Sequence, residues 1–209
     1  MLVTQIVELS KSRSRIFIDD EFAFVLYKGE LRLYHIAVGE ELSPEDYRTI
    51  TEQVLPERAK LRAMNLLKSR EYTTKQLYDK LKSGDYPENI IRDALGYVES
   101  FHYTDDLRYA VNYISGHEST RSRRRIEQDL LNRGIDRATL EQAWEEWETQ
   151  GGSQDDQAMI RELFRKRGYD PENADRKETQ RMGAFLMRRG FSGESVRKAL
   201  FTDIFSDLD

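Results

Sequence analysis

Apolar positions recur along this chain in two rhythms. The opening stretch carries short β-branched and aromatic runs separated by polar turns. Leu2, Val3, Ile6, Val7 and Leu9 precede Lys11-Ser12-Arg13-Ser14; Ile16, Phe17 and Ile18 lead into Asp19-Asp20-Glu21; Phe22 to Leu26 follow. This pattern predicts a three-stranded meander. Lys28–Tyr34 reads as one helical turn, and Gly39 breaks the chain. Ser43-Pro44-Glu45-Asp46 is a strong helix start: a serine cap, proline at the first helical position and acids at the positive end of the dipole. A three-stranded sheet alone is marginal, and Tyr47, Ile50 and Val54 give this helix a face for it. Pro56 is expected to end or kink the helix.

From Glu57 the period becomes helical. Arg58–Arg70 offers Ala63, Leu66 and Leu67; a cap at Thr73 opens a helix with Leu77 and Leu81, ending at Gly84; Pro87 opens a third with Ile90, Ile91, Ala94, Leu95, Val98 and Phe101 on one stripe. The order then recurs. Asp105-Asp106 opens a helix with Leu107, Ala110, Val111 and Ile114, Arg121–Arg133 is the second, and Leu140, Ala143, Trp144 and Trp147 mark the third. Asp155-Asp156 opens again, Asp175–Arg189 follows, and Val196, Ala199 and Leu200 close the series. Gly84 to Gly134 spans 50 residues, as does Asp106 to Asp156, whereas Gly134 to Gly190 spans 56, which places about six extra residues at Gly168–Arg176. Each glycine sits where a chain leaving a helix needs a left-handed residue.

The fold class expected is therefore mainly α: three tandem three-helix repeats in an elongated, curved array, preceded by a small β-meander. The segments are 1–56 for the β-rich module with one helix, then 57–103, 104–150 and 151–209 for the repeats. Repeats of this kind stack on neighbours and present long faces to a partner.

Composition narrows the function. Charged residues make up 34 % and hydrophobic ones 38 % of the chain, which suits small helical modules with thin cores. There are no cysteines, so disulfides and thiolate metal sites are excluded. No apolar run approaches a membrane span and the start lacks a secretory pattern, so a cytoplasmic location and no membrane contact are expected. The net charge of −5 argues against a chain that simply coats nucleic acid. The first 56 residues hold ten acids against six bases, which leaves the repeats nearly neutral with local clusters of arginine.

Catalytic chemistry finds no foothold. There is no glycine-rich phosphate loop, no nucleophile with an adjacent base, and His35, His102 and His117 lack metal spacing. No cofactor or metal is expected. The paired aspartates at helix starts have a simpler role as caps. Binding residues are easier to nominate. Arg121, Arg123, Arg124 and Arg125 crowd the positive end of one helix. Spacing of i,i+4 supplies Glu127 for Arg123 and Asp129 for Arg125 and leaves Arg121 and Arg124 without a matching acid. An anion or an acidic partner would relieve that crowding. Tyr109 and Tyr113, with Arg108 beside them, flank an already sufficient core stripe; they read equally well as half-core or as interface anchors. A second basic set lies in the last repeat: Arg161, Arg165, Lys166, Arg167, Arg181, Arg188 and Arg189. Serving the helix dipole accounts for these as well as a partner does. Trp144 and Trp147 read as core.

The stretches AMNLLKSREYTTKQLYDKL, FHYTDDLRYAVNYI and RSRRRIEQDLLNRGI resemble the RecX family, the bacterial regulators of RecA recombinase. The middle repeat carries the most specific part, Tyr103-Thr104-Asp105-Asp106 with Arg108-Tyr109-Ala110, then Arg125-Ile126, Leu130 and Gly134-Ile135. The resemblance runs from about residue 58 to 203, and the third repeat drifts most. One departure is Ser122, where the family commonly has glycine. The resemblance implies a non-enzymatic protein that binds RecA and the RecA–single-stranded DNA filament, lies in the filament groove, and blocks extension, ATP hydrolysis and strand exchange. It would do so as a monomer, the state an elongated form favours, with weak direct DNA contact at most. Two rival readings stand beside it: a direct nucleic-acid binder with its arginines on phosphates, and a general peptide-binding helical scaffold.

Overall fold

The computed structural model describes residues 1–201 and is mostly helical. It contains two compact units, one reaching Asp105 and the other starting at Asp106.

The first unit opens with an antiparallel sheet in the order β1 (Val3–Glu8), β2 (Arg13–Ile18), β3 (Glu21–Tyr27). Asp19 and Asp20 both take positive φ (49° and 68°) in the β2–β3 connection, the geometry whose twist matches a tight hairpin. One sheet face, with Ile16, Ile18, Phe24 and Leu26, is buried. A short helix follows, α1 (Lys28–Leu33), and then α2 (Pro44–Thr49). The Ser43 side chain caps α2 by accepting the Asp46 N–H at 3.0 Å.

The helix does not end at Pro56. It passes through a π-type turn, Ile50–Val54, and continues as α3 (Leu55–Leu67). Proline gives no N–H to the carbonyl four residues back and its ring crowds that carbonyl. Widening the preceding turn carries the helix past the obstacle. The first repeat is completed by α4 (Thr74–Lys82) and α5 (Glu88–Ser100). Thr73 and Gln76 form a reciprocal capping box at the start of α4. The sheet and the first repeat share one core, running from Val3 to Val98. Arg58 braces the two by donating to the Val25 carbonyl (3.0 Å) and to Glu30 (2.6 Å).

Two expectations fail in this unit. Phe101 is 56 % exposed rather than buried with Val98, because α5 ends at Ser100 and Phe101 turns outward as its C-cap. Gly84 is also not the left-handed residue; Asp85 is, at φ 61°. Its carboxylate is held by a forked contact from Arg15 (2.9 and 3.1 Å), which ties the turn to β2.

The second unit contains α6 (Asp106–Ser115), α7 (Arg123–Asn132) and α8 (Arg137–Thr149), then α9 (Asp156–Arg167), α10 (Arg176–Arg188) and α11 (Gly193–Phe201). Each trio closes over its own core. In the second repeat Trp144 and Trp147 are buried edge to face at 5.3 Å, as the spacing predicted. Phe164, Leu186, Phe191 and Leu200 sit in the third. Asp155 and Asp175 cap α9 and α10 by accepting the N–H of Ala158 and Glu178. Gly134 and Gly190 are left-handed at φ 88° and 90°. The part of the third repeat expected over 202–209 lies outside the described residues.

Candidate functional site

The sequence singled out the α6–α7 region, and the side chains there form one network. Tyr109, Tyr113 and His117 follow at i,i+4,i+8, so they lie on one side of the helical path. Their rings stack in sequence, at 6.4 Å for Tyr109–Tyr113 and 4.1 Å for Tyr113–His117. Arg133, just after α7, lies 4.7 Å from the Tyr113 ring and donates to the Tyr109 hydroxyl at 2.9 Å. The centre of the network is Asp129. Its side chain is only 11 % exposed, and it accepts Arg121 at 2.6 Å, Arg125 at 3.2 Å and the Tyr113 hydroxyl at 3.3 Å.

Arg121 therefore has a matching acid, contrary to the i,i+4 account. It precedes α7 rather than belonging to it, so its side chain folds back along the helix and meets Asp129 two turns later. Its Nη1 also donates to the Tyr113 hydroxyl at 2.6 Å. Arg123 and Arg125 do find Glu127 (3.1 Å) and Asp129 as expected, and Arg123 reaches Glu148 (3.2 Å) and covers the Trp144 ring at 4.3 Å. Arg124 is exposed and makes no ion pair among the described residues. Arg108 lies on the exposed side of α6.

In the third repeat Arg165 is held by Glu162 at 2.6 Å, Lys166 reaches the same carboxylate at 3.4 Å, and Arg161 stands 4.0 Å from Asp155. The Arg165 hydrogen bond, opposed by desolvation and helped by Lys166, pulls the Glu162 carboxyl down to about 2. Arg167 and Arg189 cover the Phe185 ring at 3.7 and 5.0 Å. Arg188 is exposed and makes no ion pair among the described residues.

The two basic sets meet within the second unit. Ser122 is the N-cap of α7, yet its hydroxyl does not cap the helix; it donates to the Arg189 carbonyl at 2.8 Å. Gly190 lies directly against it, and a Cβ there would sit 2.7 Å from Ser122 Oγ. Gln154 reinforces this junction by donating to the carbonyls of Arg121 (2.6 Å) and Glu118 (3.1 Å). A groove of about 670 Å³ results, open to solvent between the start of α7 and the helices α9 and α10. Arg121, Arg125, Lys166, Arg188 and Arg189 supply five cations to its wall against one acid, Glu162, and Met159, Leu163 and Phe191 give it an apolar floor. Of the nominated residues, Arg121, Arg125, Arg188 and Arg189 are thus brought together. Arg108, Tyr109, Tyr113, Arg123, Arg124, Arg161 and Arg165 lie outside this wall. Glu162 and the apolar floor were not nominated from sequence, and only the glycine after Arg189 hinted that another chain segment comes close. Among the described residues no cluster of ligating side chains has metal-site geometry, and no helix is long and apolar enough to cross a membrane.

Comparison with known proteins assigns all three repeats in order. Residues 59–97, 105–143 and 154–200 match the first, second and third three-helix domains of RecX, respectively. The chain is 31 % identical to the regulatory protein RecX of Caldanaerobacter subterraneus subsp. tengcongensis, over 96 % of this chain and 98 % of the relative. It is 26 % identical to that of Clostridioides difficile, over 95 % and 94 %. A crystal structure of regulatory protein RecX matches with a TM-score of 0.59 at 22 % identity, covering 95 % of this chain and 98 % of the other. RecX from Lactobacillus salivarius matches at 0.56 and 20 %, over 70 % and 95 %. These structural matches bear on the fold.

Proposed function

This chain belongs to the RecX family, and on that premise we propose that it binds RecA and the RecA–single-stranded DNA filament and lowers ATP hydrolysis, filament extension and strand exchange. The observation that carries the reading is the ordered match of all three repeats to the three RecX domains. The basic groove of the second unit supports it, because it offers a charged contact surface. In this reading the protein works by occupying a surface of the filament, performs no chemical step, and does so in the cytoplasm as a monomer. The contact residues are Arg121, Arg123, Arg124, Arg125, Arg188 and Arg189, with Arg108, Tyr109, Tyr113, Arg161 and Arg165 as outlying contacts. A titration of RecA ATPase on single-stranded DNA tests the reading directly. Activity should fall as this protein approaches equimolar amounts, and full activity at saturation refutes it.

A second reading, direct nucleic-acid binding, is favoured by one observation in the first unit. Phe101 and Tyr103 stack 5.9 Å apart while 56 % and 49 % exposed, Tyr97 adjoins Phe101 at 5.0 Å, and Lys60 lies over Tyr97 at 5.2 Å. Open rings beside a cation suit base stacking. This reading predicts RecA-independent binding that weakens steeply with salt.

A further inference from the structure

The groove between α7, α9 and α10 carries a net excess of cations, and its anionic ligand belongs to a definable class. We infer that it is a receptor for a short acidic peptide segment bearing one apolar anchor residue. The inference rests on the regulatory reading above, since it gives the chemistry of the partner segment that such a regulator would hold.

Three observations select this ligand. First, the wall is dominated by guanidinium groups, whose planar forks match carboxylates in pairs. Four of the five cations are arginines, and the one acid, Glu162, is already engaged by Arg165 and Lys166. Second, the floor is apolar, with Leu163 half-buried beside the more deeply set Met159 and Phe191. The volume of about 670 Å³ suits a few residues of a segment rather than a whole helix. Third, the groove wall offers no open ring for a base: its one aromatic side chain, Phe191, is buried, and Arg167 and Arg189 cover the neighbouring Phe185. Single-stranded nucleic acid binds by stacking on such faces, so their occupancy favours carboxylates over a polynucleotide. The positive end of α7 adds a favourable field for either anion.

The wall is also held in place before a ligand arrives. Arg121 is tied to Asp129 and Tyr113, and the backbone of Arg189 is tied to Ser122. Fewer rotamers are then lost on binding. Arg188 makes no ion pair among the described residues, so its charge is available to a ligand and its replacement leaves the internal network intact.

The test uses the full chain and a fluorescein-labelled probe peptide, Asp-Glu-Asp-Leu-Glu-Asp-Glu, followed by fluorescence anisotropy at fixed low salt. The probe should bind, and R188E should weaken it by about tenfold or more. Replacing the probe leucine by serine should also weaken binding several-fold. R197E, the same charge change on α11 outside the groove, should leave affinity within about twofold. Oligodeoxythymidylate should not displace the probe. Absence of binding, equal binding by R188E, or indifference to the leucine overturns the inference. Displacement by oligodeoxythymidylate with the same R188E loss makes the groove a polynucleotide site and equally overturns it. The RecA ATPase titration, run in parallel on the wild type, separates this outcome from the wider reading. Inhibition that persists without peptide binding leaves the regulatory function standing and removes only the groove's assignment.

Discussion

Replacing Asp129 by asparagine tests the centre of the α6–α7 network. The wild-type carboxylate is 11 % exposed and accepts from Arg121, Arg125 and Tyr113. Asparagine keeps the shape and one carbonyl acceptor but removes the charge and turns an amide toward guanidinium groups. Breaking a fully buried ion pair costs about 3–5 kcal/mol. Here the guanidinium side chains of Arg121 and Arg125 are 38 % and 58 % exposed, so solvent screens much of that loss. A cost of about 2 kcal/mol remains, carried mainly by the short Arg121 contact and the Tyr113 hydroxyl. For a unit of this size that corresponds to about 8–15 °C in melting temperature. The assay is selective, because both tryptophans of the chain, Trp144 and Trp147, lie in the core of the second repeat. Urea unfolding followed by tryptophan fluorescence therefore reports this repeat. In the D129N background, R121Q should cost less than in the wild type, since its charged partner is already gone and only the Tyr113 hydroxyl remains. A D129N loss under about 0.5 kcal/mol would refute the claim that this carboxylate organises the cluster.

The same structure sets further expected outcomes. G190A should destabilise the second unit by about 1–3 kcal/mol, from a positive φ and a Cβ 2.7 Å from Ser122 Oγ; S122G should recover part of this, and no recovery in chemical unfolding would place the whole cost in the backbone. The Glu162 carboxyl should titrate near 2 by NMR. Because its folded value lies below the ordinary 4.5, its contribution to α9 is complete above that pH and fades as pH falls toward 2; a midpoint at the ordinary value would show that Arg165 does not hold it. F101S should change stability by less than about 0.5 kcal/mol, whereas V98S should cost several times more, because Phe101 is exposed and Val98 is fully buried; equal losses in thermal melts would contradict that placement.

The elements most legible in the sequence are those set by local chemistry. Ser43, Thr73, Asp155 and Asp175 all cap the helices they precede, since a cap is decided within three residues. The β-branched runs and the Asp19-Asp20 turn gave the meander for the same reason. The tryptophan pair was legible because helical spacing alone puts it on the apolar stripe. What escaped depended on longer reach. Arg121 finds its acid eight positions on, beyond any i,i+4 rule, because it stands outside the helix it pairs with. Phe101 obeys the stripe spacing but falls one residue past the helix end. The passage through Pro56 required a π-type turn that no residue preference announces. The groove was illegible because residues 67 positions apart, Ser122 and Arg189, must first be joined.

Internal pairing at Arg121 bears on how the groove binds. A guanidinium paired with a carboxylate is not thereby spent as a ligand contact, because the charges do not balance. Asp129 serves both Arg121 and Arg125, so one carboxylate is shared by two cations and a net positive charge remains on their side of the groove. The pairing fixes where that charge sits. An unpaired arginine would place more charge at the rim but would lose more rotamer freedom on binding. Arg188 supplies the complementary case, exposed and unpaired among the described residues. The groove thus combines held cations, which define its shape, with a free one that reaches the ligand. On this argument D129N should weaken acidic-peptide binding even though it raises the net positive charge, because the wall loses its geometry. A D129N protein that stays folded and binds the probe more tightly would show instead that net charge alone governs the site.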